Sequence, residues 1–265
     1  MKIFAIFAAT LLTIPTGLLK ADLIAYMATS NDDFGTLDLN TGVYTQIGNM
    51  GAQLIGLGNI GAGLYGGVTL SSTVEQVNTA TGALTALTTS GASPTGGWRA
   101  WGSTTTGMYG IDNTGELFSI TNTGVITAIG ATGFNTTTWL TTYGMSADAT
   151  SLYFTTNSSI YTINTTNGNV TLLSGSDGAT PGIGALVFDS GTLYGGEGVS
   201  PTWFVATVNT TTGAVTNGSS VTGNPGGFYG LATAPPTSST PEPASLGLFL
   251  FGGTAILALR KRFAR

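Results

Sequence analysis

The 265-residue chain contains no cysteine and no histidine. Without cysteine there is no disulfide, so stability must come from sheet pairing and packing. Without histidine, Ser-His-Asp and Cys-His catalysis and His-ligated zinc or iron centres are excluded. Lysine is missing between Asp22 and Thr240, which removes Schiff-base chemistry from that stretch. Charge is scarce throughout, with Asp, Glu, Lys and Arg making up only 7% of the chain. The stretch from Asp22 to Thr240 sets eleven carboxylates against Arg99 alone, a net charge of −10, while every other cation sits near a chain end. A polyanionic surface repels phosphate backbones, so nucleic acid is not expected as a partner. Long apolar runs are absent as well. Ala244 to Leu259 is 16 residues. As a helix it covers roughly 24 Å at ~1.5 Å per residue, against a hydrocarbon core of ~30 Å. It crosses a bilayer only with thinning or with snorkelling by its flanks.

What is present is organised at the two ends and by a repeat between them. Lys2 followed by the apolar stretch Ile3 to Leu12 reads as a signal peptide, with cleavage after Ala21, although Leu19 is larger than a cleavage site prefers. At the other end, Pro241-Glu242-Pro243 precedes the apolar stretch, and Arg260, Lys261, Arg262 and Arg265 follow it. The prolines hold the segment extended and its backbone accessible. The basic cluster places the C-terminus in the cytoplasm by the positive-inside rule. A permanent single-span anchor and an ordinary C-terminal helix are the alternative readings of the same residues.

This triplet, short apolar helix and basic end resemble the PEP-CTERM sorting tail of Gram-negative envelope proteins. The resemblance implies that Pro241, Glu242 and Pro243 are read by a membrane exosortase, which removes the helix. It also implies an inner-membrane-anchored precursor that moves to the cell surface or the extracellular matrix, and an association with exopolysaccharide or biofilm. Signal peptidase and exosortase are the expected processing partners. The domain layout is a signal peptide at 1–21, an ectodomain at 22–234, a Pro/Ser/Thr linker at 235–240 and the sorting tail at 241–265.

Between the ends, one turn recurs. Asn40-Thr41-Gly42, Asn78 to Gly82, Asn122-Thr123-Gly124, Asn164 to Gly168 and Asn209 to Gly213 each close with a glycine, at intervals of 40, 42, 44 and 45 residues. Each copy reads as a hairpin, with glycine supplying the positive φ that the turn requires. An aromatic strand precedes each hairpin, centred on Tyr26, Tyr65, Tyr109, Tyr153 and Tyr194. Before four of these lies a glycine-rich apolar strand: Leu54 to Leu57, Trp98 to Gly102, Thr142 to Ser146 and Ile183 to Phe188. The first unit lacks its leading strand, and a spare one stands at Gly227 to Ala232. Its return to the first unit would close a ring and remove two open edges.

The expectation is therefore an all-β propeller of five four-stranded blades closed by the C-terminal strand, with a signal helix before it and an apolar helix after it. The pattern looks like the quinoprotein-like and WD-like propellers of bacterial surface proteins, without their Trp-Asp or Gly-His signatures. A β-solenoid or β-sandwich is the alternative.

Candidate sites are few. Trp98, Arg99 and Trp101 combine the domain's lone cation with two large aromatics, a combination able to hold a sugar or an acidic group. Strand alternation would put Arg99 and Trp101 on one face and Trp98 on the other. The same residues would equally serve as core filling and an internal ion pair. Asp32 and Asp33 offer oxygen ligands for Ca²⁺ in a calcium-dependent adhesin, though no complete calcium loop surrounds them. Asp112, Glu116, Asp148, Asp177, Asp189 and Glu197 could supply the paired carboxylates of a polysaccharide hydrolase or lyase at the propeller centre. Each falls at a turn or strand end, where acids are common in any β protein. No cofactor motif is evident, and the reading is of a non-catalytic protein.

Overall fold

The computed structural model describes residues 23–104, 107–134, 143–148, 151–156, 159–173, 182–199, 202–223 and 225–234. The expected signal segment, linker, sorting tail and both helices lie outside the described residues, as does Asp177. Every regular element among the described residues is a β-strand.

In chain order the strands are β1 (Ile24–Thr29), β2 (Asp33–Asp38), β3 (Tyr44–Asn49), β4 (Leu54–Ile60), β5 (Gly63–Val68), β6 (Val74–Val77) and β7 (Leu84–Ala86). Then come β8 (Ser90–Gly91), β9 (Trp98–Ser103), β10 (Met108–Asp112), β11 (Glu116–Ile120), β12 (Val125–Ala131), β13 (Tyr143–Ala147) and β14 (Leu152–Thr155). The last are β15 (Ile160–Ile163), β16 (Val170–Leu172), β17 (Ile183–Asp189), β18 (Thr192–Val199), β19 (Thr202–Val208), β20 (Val215–Ser220) and β21 (Phe228–Thr233).

Three sheets have four strands each, in the orders β21-β1-β2-β3, β4-β5-β6-β7 and β17-β18-β19-β20. The remaining strands form one nine-stranded sheet, β16-β15-β14-β13-β9-β10-β11-β12-β8. It consists of two antiparallel meanders fused where β9 and β13 pair in parallel, with Tyr143 opposite Ala100 and Gly144 opposite Trp101. The short β8, pairing in parallel with the outer strand β12, is an addition that the repeat did not announce.

The spare terminal strand pairs antiparallel with β1, setting Tyr26 opposite Ala232 and Met27 opposite Leu231. The leading strands then return on themselves: β21 lies beside β4, β4 beside β9, β9 beside β13, β13 beside β17 and β17 beside β21. They come close because they are poor in side chains. A Cβ on Gly56 would fall on the carbonyl oxygen of Trp101.

The core is divided among the gaps between successive sheets. Phe34 and Ala28 meet Leu54 and Leu57 in one gap, and Tyr65 and Val74 meet Trp98 and Phe118 in the next. Ala100 and Ile111 meet Met145 and Phe154, Tyr153 and Ile160 meet Ile183 and Leu193, and Val187 and Val205 meet Met27 and Leu37 across the closing gap. Burying each such side chain contributes roughly 1.5–3 kcal/mol. The outermost strands face water. β7 and β16 are only three residues long, which limits the open edge they present to another chain.

The recurring turns share one mechanism. Asp38, Asn78, Asn164 and Asn209 each accept the amide two residues on with a side-chain oxygen, at 2.8–2.9 Å. The same residues' carbonyls accept the turn-glycine amide at 2.7–2.8 Å. In the third copy Thr121 takes this place, and its Oγ1 accepts the amide of Val125 at 3.0 Å. The side chain thus stands in for a turn of backbone, which is why Asn and Asp open these loops.

Candidate functional site

The leading strands run parallel around the axis, and at their C-terminal ends they enclose a cavity of about 340 Å³. Leu57, Val187 and Leu231 are among the lining residues, nearly fully buried, with side chains that belong to the core between the sheets. Asn59, Ser103, Ser146 and Thr233 bring polar groups to it, and Phe188, also a lining residue, packs its half-buried side chain against the cluster of Tyr153, Ile183 and Leu193.

Asn59 holds this end together. Its main-chain N–H donates to Ser103 Oγ at 2.9 Å, and its Nδ2 donates to the carbonyl oxygen of Thr233 at 2.6 Å and to Thr233 Oγ1 at 3.0 Å. One residue of β4 therefore binds β9 on one side and β21 on the other. On the far side of the cavity, the Phe188 N–H donates to Ser146 Oγ at 2.9 Å. Both serines accept from a neighbouring strand's backbone, and among the described residues no acceptor takes either hydroxyl proton.

Among the described residues no carboxylate lines the cavity. Asp148 and Asp189 each follow a lining residue in the chain, Ala147 and Phe188. Asp148 accepts the Ser151 amide at 2.7 Å and the Tyr153 hydroxyl at 2.9 Å, and Asp189 accepts the Ser190 hydroxyl at 3.1 Å. Burial and this bond to Asp148 push the Tyr153 phenol above its ordinary value.

The other acids serve turns and sheets. Asp112 is buried; its Oδ1 accepts the Thr114 amide and hydroxyl and the Glu116 amide, and its Oδ2 accepts the Thr95 amide. Glu197 on β18 is 1% exposed. The Asn217 side-chain amide, in its donating orientation, bonds to its carboxylate. Desolvation raises the Glu197 pKa, and the Asn217 bond opposes the rise.

The Trp98, Arg99, Trp101 cluster is not where alternation puts it. In the β9–β10 register Ile111 stands opposite Ala100 and Asp112 opposite Trp98, so a bulge at Arg99 breaks the two-residue period. Trp98 and Trp101 consequently share one core cluster, packed edge to face with centroids 5.1 Å apart. Both indoles are shut off from solvent, at 0% and 1% exposure, and among the described residues neither ring N–H has an acceptor. They cannot meet a ligand in this arrangement. Arg99 donates from Nε to Asn113 Oδ1 at 2.8 Å, fixing a loop at the opposite end of β9 from the cavity.

Asp32 has a positive φ of 63°, and Asp33 accepts the side-chain amides of Gln46 at 2.6 Å and Asn49 at 3.1 Å. Both donors bond the same oxygen, Asp33 Oδ1. Among the described residues no three His, Cys, Asp or Glu side chains converge on a metal position.

Of the residues around the cavity, the repeat pointed to strands but not to Asn59, Ser103, Ser146 and Thr233. Their common signal is a polar residue at the C-terminal end of a glycine-rich leading strand.

No family model matches the chain, and no curated protein does. Among solved structures, it is similar to a chain in the crystal structure of a nidogen/laminin complex. The TM-score is 0.50 at 13% identity, covering 81% of this chain and 98% of that one. The fold is propeller-like. A Myxococcus xanthus glutaminyl cyclase also resembles it, with a TM-score of 0.46 at 12% identity over 79% of this chain and 74% of that one. At such identities likeness concerns the fold alone.

Proposed function

We propose that this is an exported, non-catalytic envelope protein, a propeller of five four-stranded blades closed by β21. In this reading it is carried by a PEP-CTERM-like tail and held in an exopolysaccharide or biofilm matrix. Signal peptidase releases the chain near Ala21. Exosortase reads Pro241, Glu242 and Pro243, with Arg260, Lys261, Arg262 and Arg265 holding the C-terminus in the cytoplasm until the helix is removed. The observation that supports a binding rather than a catalytic role is that no charged side chain lines the axial cavity among the described residues. A glycosidic bond is broken by a proton donor and a facing base or nucleophile, and the lining offers hydroxyls and an amide instead. Of the acids that the repeat scatters along the chain, Asp112, Asp148, Asp189 and Glu197 are engaged by turn amides, hydroxyls and Asn217.

The test follows the chain in a Gram-negative host that carries an exosortase. The wild-type protein is expected in the matrix fraction without its terminal arginines. A variant with Arg260, Lys261 and Arg262 replaced by glutamine is expected to remain unprocessed. Mature cytosolic protein that keeps its C-terminus would overturn the sorting reading.

Asp148 and Asp189, each next in the chain to a cavity-lining residue, favour a second reading, a polysaccharide hydrolase or lyase. That reading requires turnover of a matrix glycan that disappears in Asp148→Asn or Asp189→Asn.

A further inference from the structure

The chain enters and leaves the ring at one place. β21 pairs antiparallel with β1, with Thr233 opposite Ala25, so the last strand ends beside the start of the first. The Ala234 N–H donates to the Ile24 carbonyl oxygen at 3.1 Å, and the Leu39 N–H donates to the Leu23 carbonyl oxygen at 2.8 Å. Thr233 also lines the axial cavity, so both crossings lie at the cavity end of the ring.

The hairpin turns mark the same end. Asp38 stands opposite Ile24, and in the second sheet Ile60 pairs with Gly63 while Val77 pairs with both Leu64 and Leu84. The exposed Ala62 and Ala80 therefore stand at the cavity end. Ser72, in the turn between β5 and β6, and Thr95, whose amide bonds to Asp112, stand at the other end with Arg99.

From Ala234 the apolar stretch at Ala244 is ten residues away. Ten steps of chain reach about 33–36 Å when fully extended. With the cavity end toward a bilayer, all of that length is slack. With the ring inverted, the linker must first cross four strands at ~4.8 Å spacing, about 14 Å, and then descend a blade ~20 Å high. That is about 34 Å before any side chain is passed, which pulls the linker taut and forfeits its conformational entropy. Attraction to lipid does not set the stance, since a net charge of −10 between Asp22 and Thr240 is repelled by anionic headgroups. The tether sets it.

We infer that, while the tail is attached, the cavity end of the ring is held facing the bilayer and the Arg99 end faces away from it. This rests on the reading of Ala244 to Leu259 as a membrane-inserted tail, and adds to it which surface the membrane meets.

The chain has no cysteine, so a single introduced one carries a fluorophore without background. Ala62→Cys and Ala80→Cys label the cavity end, and Ser72→Cys and Thr95→Cys label the other; all four positions are exposed. Two sites at each end keep the comparison intact if one variant fails to fold. The full-length precursor, made in a host without exosortase, is placed in phosphatidylcholine vesicles that carry a lipid-bound acceptor dye. With the ends ~20 Å apart, energy transfer should be roughly twofold or more stronger from Ala62→Cys and Ala80→Cys. Doubling the linker with a Gly/Ser insertion after Thr237 should remove the difference.

Equal transfer from both ends, stronger transfer from Ser72→Cys and Thr95→Cys, or a difference that survives the longer linker would each overturn the inference. A chain that floats free of the vesicles overturns the tail reading and this inference with it. A vesicle-bound chain with equal transfer from both ends overturns the stance alone.

Discussion

Asn59 on β4 and Thr233 on β21 stand 174 residues apart in sequence, and the Asn59 amide donates to both the carbonyl oxygen and the hydroxyl of Thr233. This clasp joins the start of the ring to its last strand at the rim of the axial cavity. The β21–β1 ladder secures that strand from the other side, so the closing element is held from both neighbours.

Asn59→Ala should therefore cost about 1–3 kcal/mol, the range for stranding a half-buried acceptor. Asn59→Asp should cost more than Asn59→Ala, because a carboxylate faces the Thr233 carbonyl oxygen with no proton to give. Urea unfolding of the full chain measures both. Equal stability of wild type and Asn59→Asp would show that the clasp is dispensable.

Gly42 combines a positive φ of 75° with a Cβ position that falls on the Ser220 carbonyl of the last sheet. Gly51 has nearly the same φ, 72°, and nothing within 4 Å of its Cβ position. Ala at Gly51 should cost about 1 kcal/mol from backbone strain alone. Ala at Gly42 should cost more, by whatever it takes to move the turn away from β20. Comparing the two unfolding midpoints isolates the contact between first and last sheets from the strain that both share.

Trp98 and Trp101 bury two ring N–H groups without acceptors, a cost of about 1–3 kcal/mol apiece. Trp98→Phe removes one such group together with some packing, and the two effects offset. It should lower stability by no more than about 1 kcal/mol, against about 3–5 kcal/mol for Trp98→Ala. Thermal unfolding of the two variants tests this, and similar losses in both would mean that the indole N–H carries no penalty.

Glu197 gives the domain a pH dependence whose sign is set by its burial. Its folded pKa is raised above the ordinary value of 4.5, so the folded state holds its proton more tightly than the unfolded chain does. The stability from this group is complete below pH 4.5 and is lost as pH rises through the folded pKa. Glu75 shifts in the same direction through partial burial, so the informative quantity is a difference between chains. Glu197→Gln should become more stable relative to wild type as pH rises across that window. A constant difference from pH 4 to 8 would remove Glu197 as the source.

The strands and their order were open to inspection in the chain because their determinants are local. The turns are built from Asp38, Asn78, Asn164 and Asn209 bonding their own backbone, so a repeat spaced by glycines reports them directly. The expected faces of the Trp98 cluster differ from the structure for a reason that alternation cannot contain. A single unpaired residue, Arg99, turns Trp98 onto the face of Trp101, and its position depends on the loop that Asp112 and Asn113 hold. Asn59 was missed because the leading strand runs on to Ile60 rather than stopping at Leu57, and nothing within the segment itself shows what it will lie beside.

The composition alone decided that this chain works without histidine, cysteine or disulfides, and that its middle is an acidic all-β repeat with a spare strand at the end. Those are properties of residue type and short-range spacing, and they survive in any conformation. The tertiary structure decided which polar atoms converge. Ser103, Ser146, Asn59 and Thr233 are brought to one cavity only when the ring shuts, which leaves the acids of the described residues outside its lining.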